Sequence, residues 1–89
     1  MSIQNISTTI QDISKIFKVD FKFDHSYSGY DYYKAAVKNT MPHLFKSVHM
    51  EVEYNPKNQT GQVSYKYTHP SGGQNGYAAG FIRNNKFTI

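Results

Sequence analysis

The most restrictive feature of this sequence is a change in the spacing of its apolar residues near residue 19. Before that point, apolar residues recur every three or four positions, which is the spacing of an amphipathic helix. The stripe consists of Ile3, Ile6, Ile10, Ile13 and Ile16 or Phe17. Ser2 is the predicted N-cap. Because β-branched residues lower helix propensity, tertiary packing must stabilise this helix.

After residue 18, apolar and polar residues alternate, which is typical of strands buried on one side. The predicted strands are Val19–Asp24, Ser47–Tyr54, Val63–Thr68, Tyr77–Arg83 and Lys86–Ile89. The two longest connections, residues 55–61 and 69–76, are rich in Gly, Pro, Asn and Ser, which favour turns. The second half of the chain is therefore predicted to be an antiparallel meander.

Residues 30–46 fit two structures. Their spacing predicts a helical face. This face carries Tyr30, Tyr33 and Val37. Two alanines favour a helix, and Pro42 ends or restarts it. We predict a second helix near 30–46, with a strand through residues 30–33 as the alternative.

Length and composition set the remaining bounds. Eighty-nine residues predict one domain spanning 1–89, and the absence of cysteine excludes disulfides and thiolate metal sites. The predicted fold class is α+β, with the N-terminal amphipathic helix packed on an antiparallel sheet of four or five strands. The N-terminus lacks the features of a signal peptide, and no apolar run reaches the ~20 residues of a membrane span. We expect a cytoplasmic protein.

Three potential metal ligands share one face of the strand through residues 47–54. They are His49, Glu51 and Glu53. Pairing Tyr54 with Val63 would set Glu51 opposite Lys66, an opposite-charge pair. Since a one-sided sheet requires a polar face, we favour a solvated surface and predict no metal site.

No catalytic motif stands out. The four histidines have no recognisable catalytic spacing, and Ser71-Gly72-Gly73 lacks both a phosphate-loop pattern and a following helix. We predict no catalytic residue, no enzymatic activity and no cofactor. The alternative is a small metal-independent ribonuclease toxin that uses histidines for proton transfer.

Charge and tyrosine content point to a binding surface. Nine Lys and one Arg against six acids give a net charge of +4, which suits an acidic partner. Four tyrosines within residues 27–33 cannot all face one core, and tyrosine is favoured at interfaces. In a helix, Lys34 and Lys38 would lie one and two turns from Tyr30. The predicted partner-binding residues are Tyr30, Tyr32, Tyr33, Lys34, Lys38, His69, Ser71, Gln74 and Asn75.

The leading functional prediction is a small non-catalytic binding or inhibitor protein that docks on an acidic protein or a nucleoprotein. Compact proteins of this kind often come from phages or mobile elements and occlude a host complex, such as a defence complex. Direct nucleic-acid binding is the second prediction, although a single Arg argues against sequence-specific readout. Dimerisation by pairing of the last strand, at an uncovered sheet edge, is a further prediction.

Overall fold

The computed structural model describes residues 5–89, which form one helix and six antiparallel strands. The elements are α1 (Ile6–Phe17), β1 (Lys22–Tyr27), β2 (Tyr30–Ala36), β3 (Ser47–Asn55), β4 (Thr60–Thr68), β5 (Gln74–Arg83) and β6 (Lys86–Thr88). The strands lie in the sheet in chain order, from β1 at one edge to β6 at the other. The α+β class is confirmed, but the sheet has six strands where four or five were predicted.

The second helix predicted near residues 30–46 is wrong. Residues 30–36 form β2, which pairs with β1 on one side and β3 on the other. This arrangement buries Ala35 beside Met50 and satisfies the backbone of β2 on both edges. Helix propensity of the alanines is outweighed by these two neighbours. The alternative prediction of a strand through residues 30–33 is the correct one.

Helix α1 begins at Ile6 because Asn5 is its N-cap. The Asn5 Oδ1 accepts a hydrogen bond from the Ser7 N–H at 2.8 Å. The predicted N-cap Ser2 and the first stripe residue Ile3 lie outside the described residues. The helix ends at Lys18, whose left-handed backbone directs its N–H to a carbonyl one turn earlier. Within residues 5–89, no helix is long and apolar enough to cross a bilayer.

The hydrophobic core lies between α1 and one side of the sheet, here called the helix side. Its buried residues are Ile10, Ile13, Phe21, Ala35, Met50, Val52, Tyr54, Val63 and Ile82. Ile10 and Ile13 confirm the predicted apolar stripe. Phe17 completes that stripe, since it packs against the core while Ile16 is 55% exposed.

The predicted register between β3 and β4 is wrong by two residues. The observed pairs are Val52 with Val63, Tyr54 with Gly61, Glu51 with Ser64 and His49 with Lys66. Gly61 was assigned to the turn, but it lies within β4. A Cβ on Gly61 would stand 2.5 Å from the Glu53 carbonyl oxygen, so only glycine permits this close pairing. The turn therefore shrinks to residues 56–59, and the predicted Glu51–Lys66 pair does not form.

The first strand is also displaced along the chain. Val19–Asp24 was predicted, whereas β1 covers Lys22–Tyr27. Phe21 is buried in the connection that precedes β1. Ser28 and Gly29, both with positive φ, make the turn into β2.

Candidate macromolecule-binding surface

The predicted binding residues lie in three separate parts of the structure. Alternation along β2 puts Tyr30, Tyr32 and Lys34 on the side of the sheet opposite α1, here called the open face. Tyr33 lies on the helix side, where its ring packs edge to face with Phe23 at 5.7 Å. Lys38 follows β2 in the connection to β3. The tyrosines of this segment therefore do not form a single surface.

On the open face, polar side chains are engaged with one another. The His25 Nδ1 lies 2.5 Å from the Asp24 carboxylate, and the Lys34 Nζ lies 3.5 Å from the same oxygen. The His25 ring stacks on Tyr32 with centroids 4.6 Å apart. The hydrogen bond from His25 and the charge of Lys34 lower the pKa of Asp24 below its usual value.

Replacing His25 with Ala is expected to raise the pKa of Asp24 towards its usual value of 3.8, because the largest cause of its depression is removed. Carboxyl NMR titration measures this change, and His43→Ala provides the matched control. An unchanged Asp24 midpoint in His25→Ala would contradict the assignment. Since the folded-state pKa is depressed, the interaction stabilises the fold above the usual pKa and is lost as pH falls through the folded value.

The cluster of His49, Glu51 and Glu53 also lies on the open face. The His49 Nε2 is 3.6 Å from the Glu51 carboxylate. Burial raises the pKa of the Tyr32 hydroxyl, and the charge of Glu53 raises it further. Across residues 5–89, no three His, Cys, Asp or Glu side chains are grouped to hold a metal ion.

One end of the sheet has a different composition, and we call residues 37–48 and 66–77 the acid-free end. These two segments contain three lysines and no Asp or Glu. The Lys46 N–H donates to the Thr68 carbonyl at 2.7 Å, which joins the segments beside the β3–β4 ladder. Tyr67 is paired with Asn75 in the β4–β5 ladder. The acid-free end is therefore a continuous part of the sheet with its flanking loops.

Aromatic rings cover the helix side of the acid-free end. Phe45 packs against Tyr67 at 4.9 Å and His69 at 5.3 Å between ring centroids. Tyr67 meets Tyr77 edge to face at 5.5 Å. Helix α1 ends before these rings, and its Phe17 contacts Tyr65, which lies two residues before Tyr67 in β4. Tyr77 is consequently 56% exposed.

Two aliphatic residues extend the exposed apolar surface of the acid-free end. Leu44 is 51% exposed, and Met41 is 36% exposed. Lys38 and Lys46 are exposed in the same connection between β2 and β3. This combination of apolar and cationic groups, without an acid in either segment, is what distinguishes this surface from the open face.

Five predicted binding residues lie in the acid-free end. They are Lys38, His69, Ser71, Gln74 and Asn75. The sequence interpretation missed Phe45, Tyr67, Tyr77 and Lys46. Their signal was the distribution of acids, which are absent from residues 32–50 and 54–89.

The chain matches no protein-family model, no curated protein and no solved structure at a significant level. The functional argument therefore depends on the geometry and charge of the described residues.

Proposed function

We propose that this protein is a non-catalytic binding protein that docks on a larger macromolecule through the acid-free end. One observation supports the proposal: exposed aromatic and aliphatic side chains stand among lysines, without acids, on a part of the sheet that α1 leaves uncovered. The partner surface would be negatively charged, as on an acidic protein or a nucleoprotein. If that partner is a host complex, docking would inhibit it by occlusion.

At protein interfaces, aromatic and charged side chains contribute in different ways. Buried aromatic anchors supply most of the binding free energy, and tyrosine does so with little loss of side-chain entropy. Tyr77 can act as such an anchor because its ring is exposed yet held by the edge of Tyr67. Lysines around the anchor speed association with an anionic surface.

The histidines occupy separate surroundings, which favours binding over acid–base catalysis. His25 is paired with Asp24, His49 lies beside Glu51, and the His69 ring packs against Phe45. A proton-transfer pair would need two such groups around one reacting atom. The ribonuclease alternative therefore ranks below the binding proposal.

Charge reversal at the acid-free end tests the proposal. The double variant Lys38→Glu/Lys46→Glu is immobilised and incubated with a host lysate. We expect it to capture about tenfold less partner than wild type, because attractive charges become repulsive. The control, Lys57→Glu/Lys86→Glu, changes net charge equally at the opposite end of the sheet and should retain the partner. The captured partner is identified by mass spectrometry at about 0.15 M salt, where screening is physiological. No stable partner, or equal loss in both variants, would contradict the proposal.

Direct binding of single-stranded nucleic acid is a second candidate, favoured by the exposed Tyr77 ring in an acid-free setting. Bases stack on aromatic side chains with about 1–3 kcal/mol each, and phosphates attract lysines. Tyr77→Ala should weaken binding of a labelled oligonucleotide about tenfold in fluorescence anisotropy, with affinity falling steeply as salt rises. Undetectable binding at low salt would eliminate this candidate, and cleavage of an RNA probe would favour the ribonuclease alternative.

A further inference from the structure

Strand β5 is longer than the strand that covers its outer edge. It spans ten residues, and β6 pairs only with the three residues Phe81, Ile82 and Arg83. Among residues 5–89, the segment 74–78 is paired regularly with β4 alone, whereas Ala79 lies at an irregularity of that pairing and Gly80 is buried beside Phe87. Residues 74–78 are also exposed. This part of β5 is an uncovered sheet edge.

The opposite edge of the sheet is protected, which makes the β5 edge distinctive. Strand β1 carries the charged residues Lys22 and Asp24, and its pairing is interrupted between Phe23 and His25. Charges and bulges on an edge strand prevent pairing with other chains. Segment 74–78, Gln-Asn-Gly-Tyr-Ala, contains neither a charged residue nor a proline, and its pairing with β4 is regular.

The backbone of this segment has groups directed away from β4. The His69 N–H donates a hydrogen bond to the Gly73 carbonyl, so the backbone N–H and C=O of His69 face β5. Backbone N–H and C=O groups alternate in direction along a strand, so those of Tyr67 and Tyr65 also face β5. There these two residues pair with Asn75 and Tyr77. The intervening residues Gly76 and Ala78 therefore present N–H and C=O groups to the outside.

We infer that a second copy of this chain pairs with the 74–78 edge in antiparallel orientation, which continues the sheet across a two-fold axis. An isologous contact brings each strand against itself, so any charge would meet its like, and this segment has none. Gly76 and Ala78 have small side chains, and the neighbour beside Gly76 is the flexible end of the Lys66 side chain, which can move aside for the approaching backbone.

Tyr77 lies at the centre of the proposed pairing. When Gly76 faces Ala78 of the second copy, Tyr77 faces its own equivalent, and the two exposed rings cover each other in part. Because the two strands run in opposite directions, the acid-free ends of the two copies would meet at Tyr77 and extend away from the axis on opposite sides. The inference does not depend on the proposed function, because it is carried by the backbone edge and not by the lysines.

Sedimentation velocity over a concentration series tests the inference with a charge-exchange design. Wild type is expected to self-associate as its concentration rises. In Ala78→Lys and in Ala78→Glu, like charges near the axis should weaken association about five- to tenfold, whereas an equimolar mixture of the two should restore it. Ala36→Lys is the control, since it places the same side chain at an exposed position of β2.

Three results would overturn the inference. They are a wild-type protein that stays monomeric at every concentration, charge variants that associate as strongly as wild type, and weakened variants whose mixture does not recover. Misfolding cannot imitate the expected pattern, because mixing two misfolded variants would not restore a dimer. Failure here would leave partner capture by the acid-free end unaffected.

Discussion

Ile13→Ala is expected to lower the free energy of unfolding by about 3–4 kcal/mol. Ile13 is completely buried at the contact between α1 and the sheet, together with Met50, Val52 and Val63. Removing its side-chain atoms loses their transfer free energy and leaves a cavity that a single helix on a rigid sheet fills poorly. Since small domains are stable by about 5–15 kcal/mol, the loss is a large fraction of the total.

Urea denaturation followed by circular dichroism measures this change. Ile16→Ala is the matched control, because Ile16 lies in the same helix and is 55% exposed. Its expected loss is below about 1 kcal/mol, as for a side chain that is largely in solvent already. Similar losses in the two variants would contradict the assignment of Ile13 to the core and Ile16 to the surface.

Gly80→Ala is expected to cost about 2–3 kcal/mol, although it adds only one methyl group. A Cβ at this position would stand 2.5 Å from the Phe87 Cζ and 2.9 Å from the Thr88 carbonyl oxygen. The Phe87 ring has little room to retreat, because its other contacts include the Phe17 ring at 5.8 Å. Strand β6 and the end of α1 must therefore shift together.

Gly76→Ala is the control for this substitution. It lies in the same strand, and its Cβ would meet only the flexible end of the Lys66 side chain. Its expected effect on the free energy of unfolding is within about 0.5 kcal/mol. Equal denaturation midpoints for the two alanine variants would show that Phe87 does not pack over Gly80.

The elements that the sequence predicted well are those with one buried side. Ile10 and Ile13 had to recur at helical spacing, and Met50, Val52 and Tyr54 had to alternate, because only these spacings bring apolar side chains to one core. The spacing of apolar residues in 30–36 does not discriminate in this way, because a helix and a strand would each present a face with both apolar and polar side chains. Pairing with β1 and β3 selects the strand, and that pairing is not a local property.

The candidate surface was predicted only in part for a related reason. Tyr67 and Tyr77 alternate on strands as core residues do, so the pattern alone assigns them to the interior. Whether they are covered depends on where α1 ends on the sheet, and its Phe17 reaches Tyr65. His69 and Gln74 were identified because the sequence predicts both in a long loop, and long loops often form contacts; Gln74 is in fact the first residue of β5.

The most direct test of the proposed binding surface is site-specific photo-crosslinking from two tyrosine positions. Tyr77 at the acid-free end is 56% exposed, and Tyr27 at the opposite end is 71% exposed, so accessibility alone favours Tyr27. A benzophenone side chain replaces one or the other, and each protein is irradiated in a cell lysate. We expect a discrete adduct with one macromolecular partner from position 77 and none from position 27. The same adduct from both positions, or an adduct from position 27 alone, would contradict the assignment of function to the acid-free end.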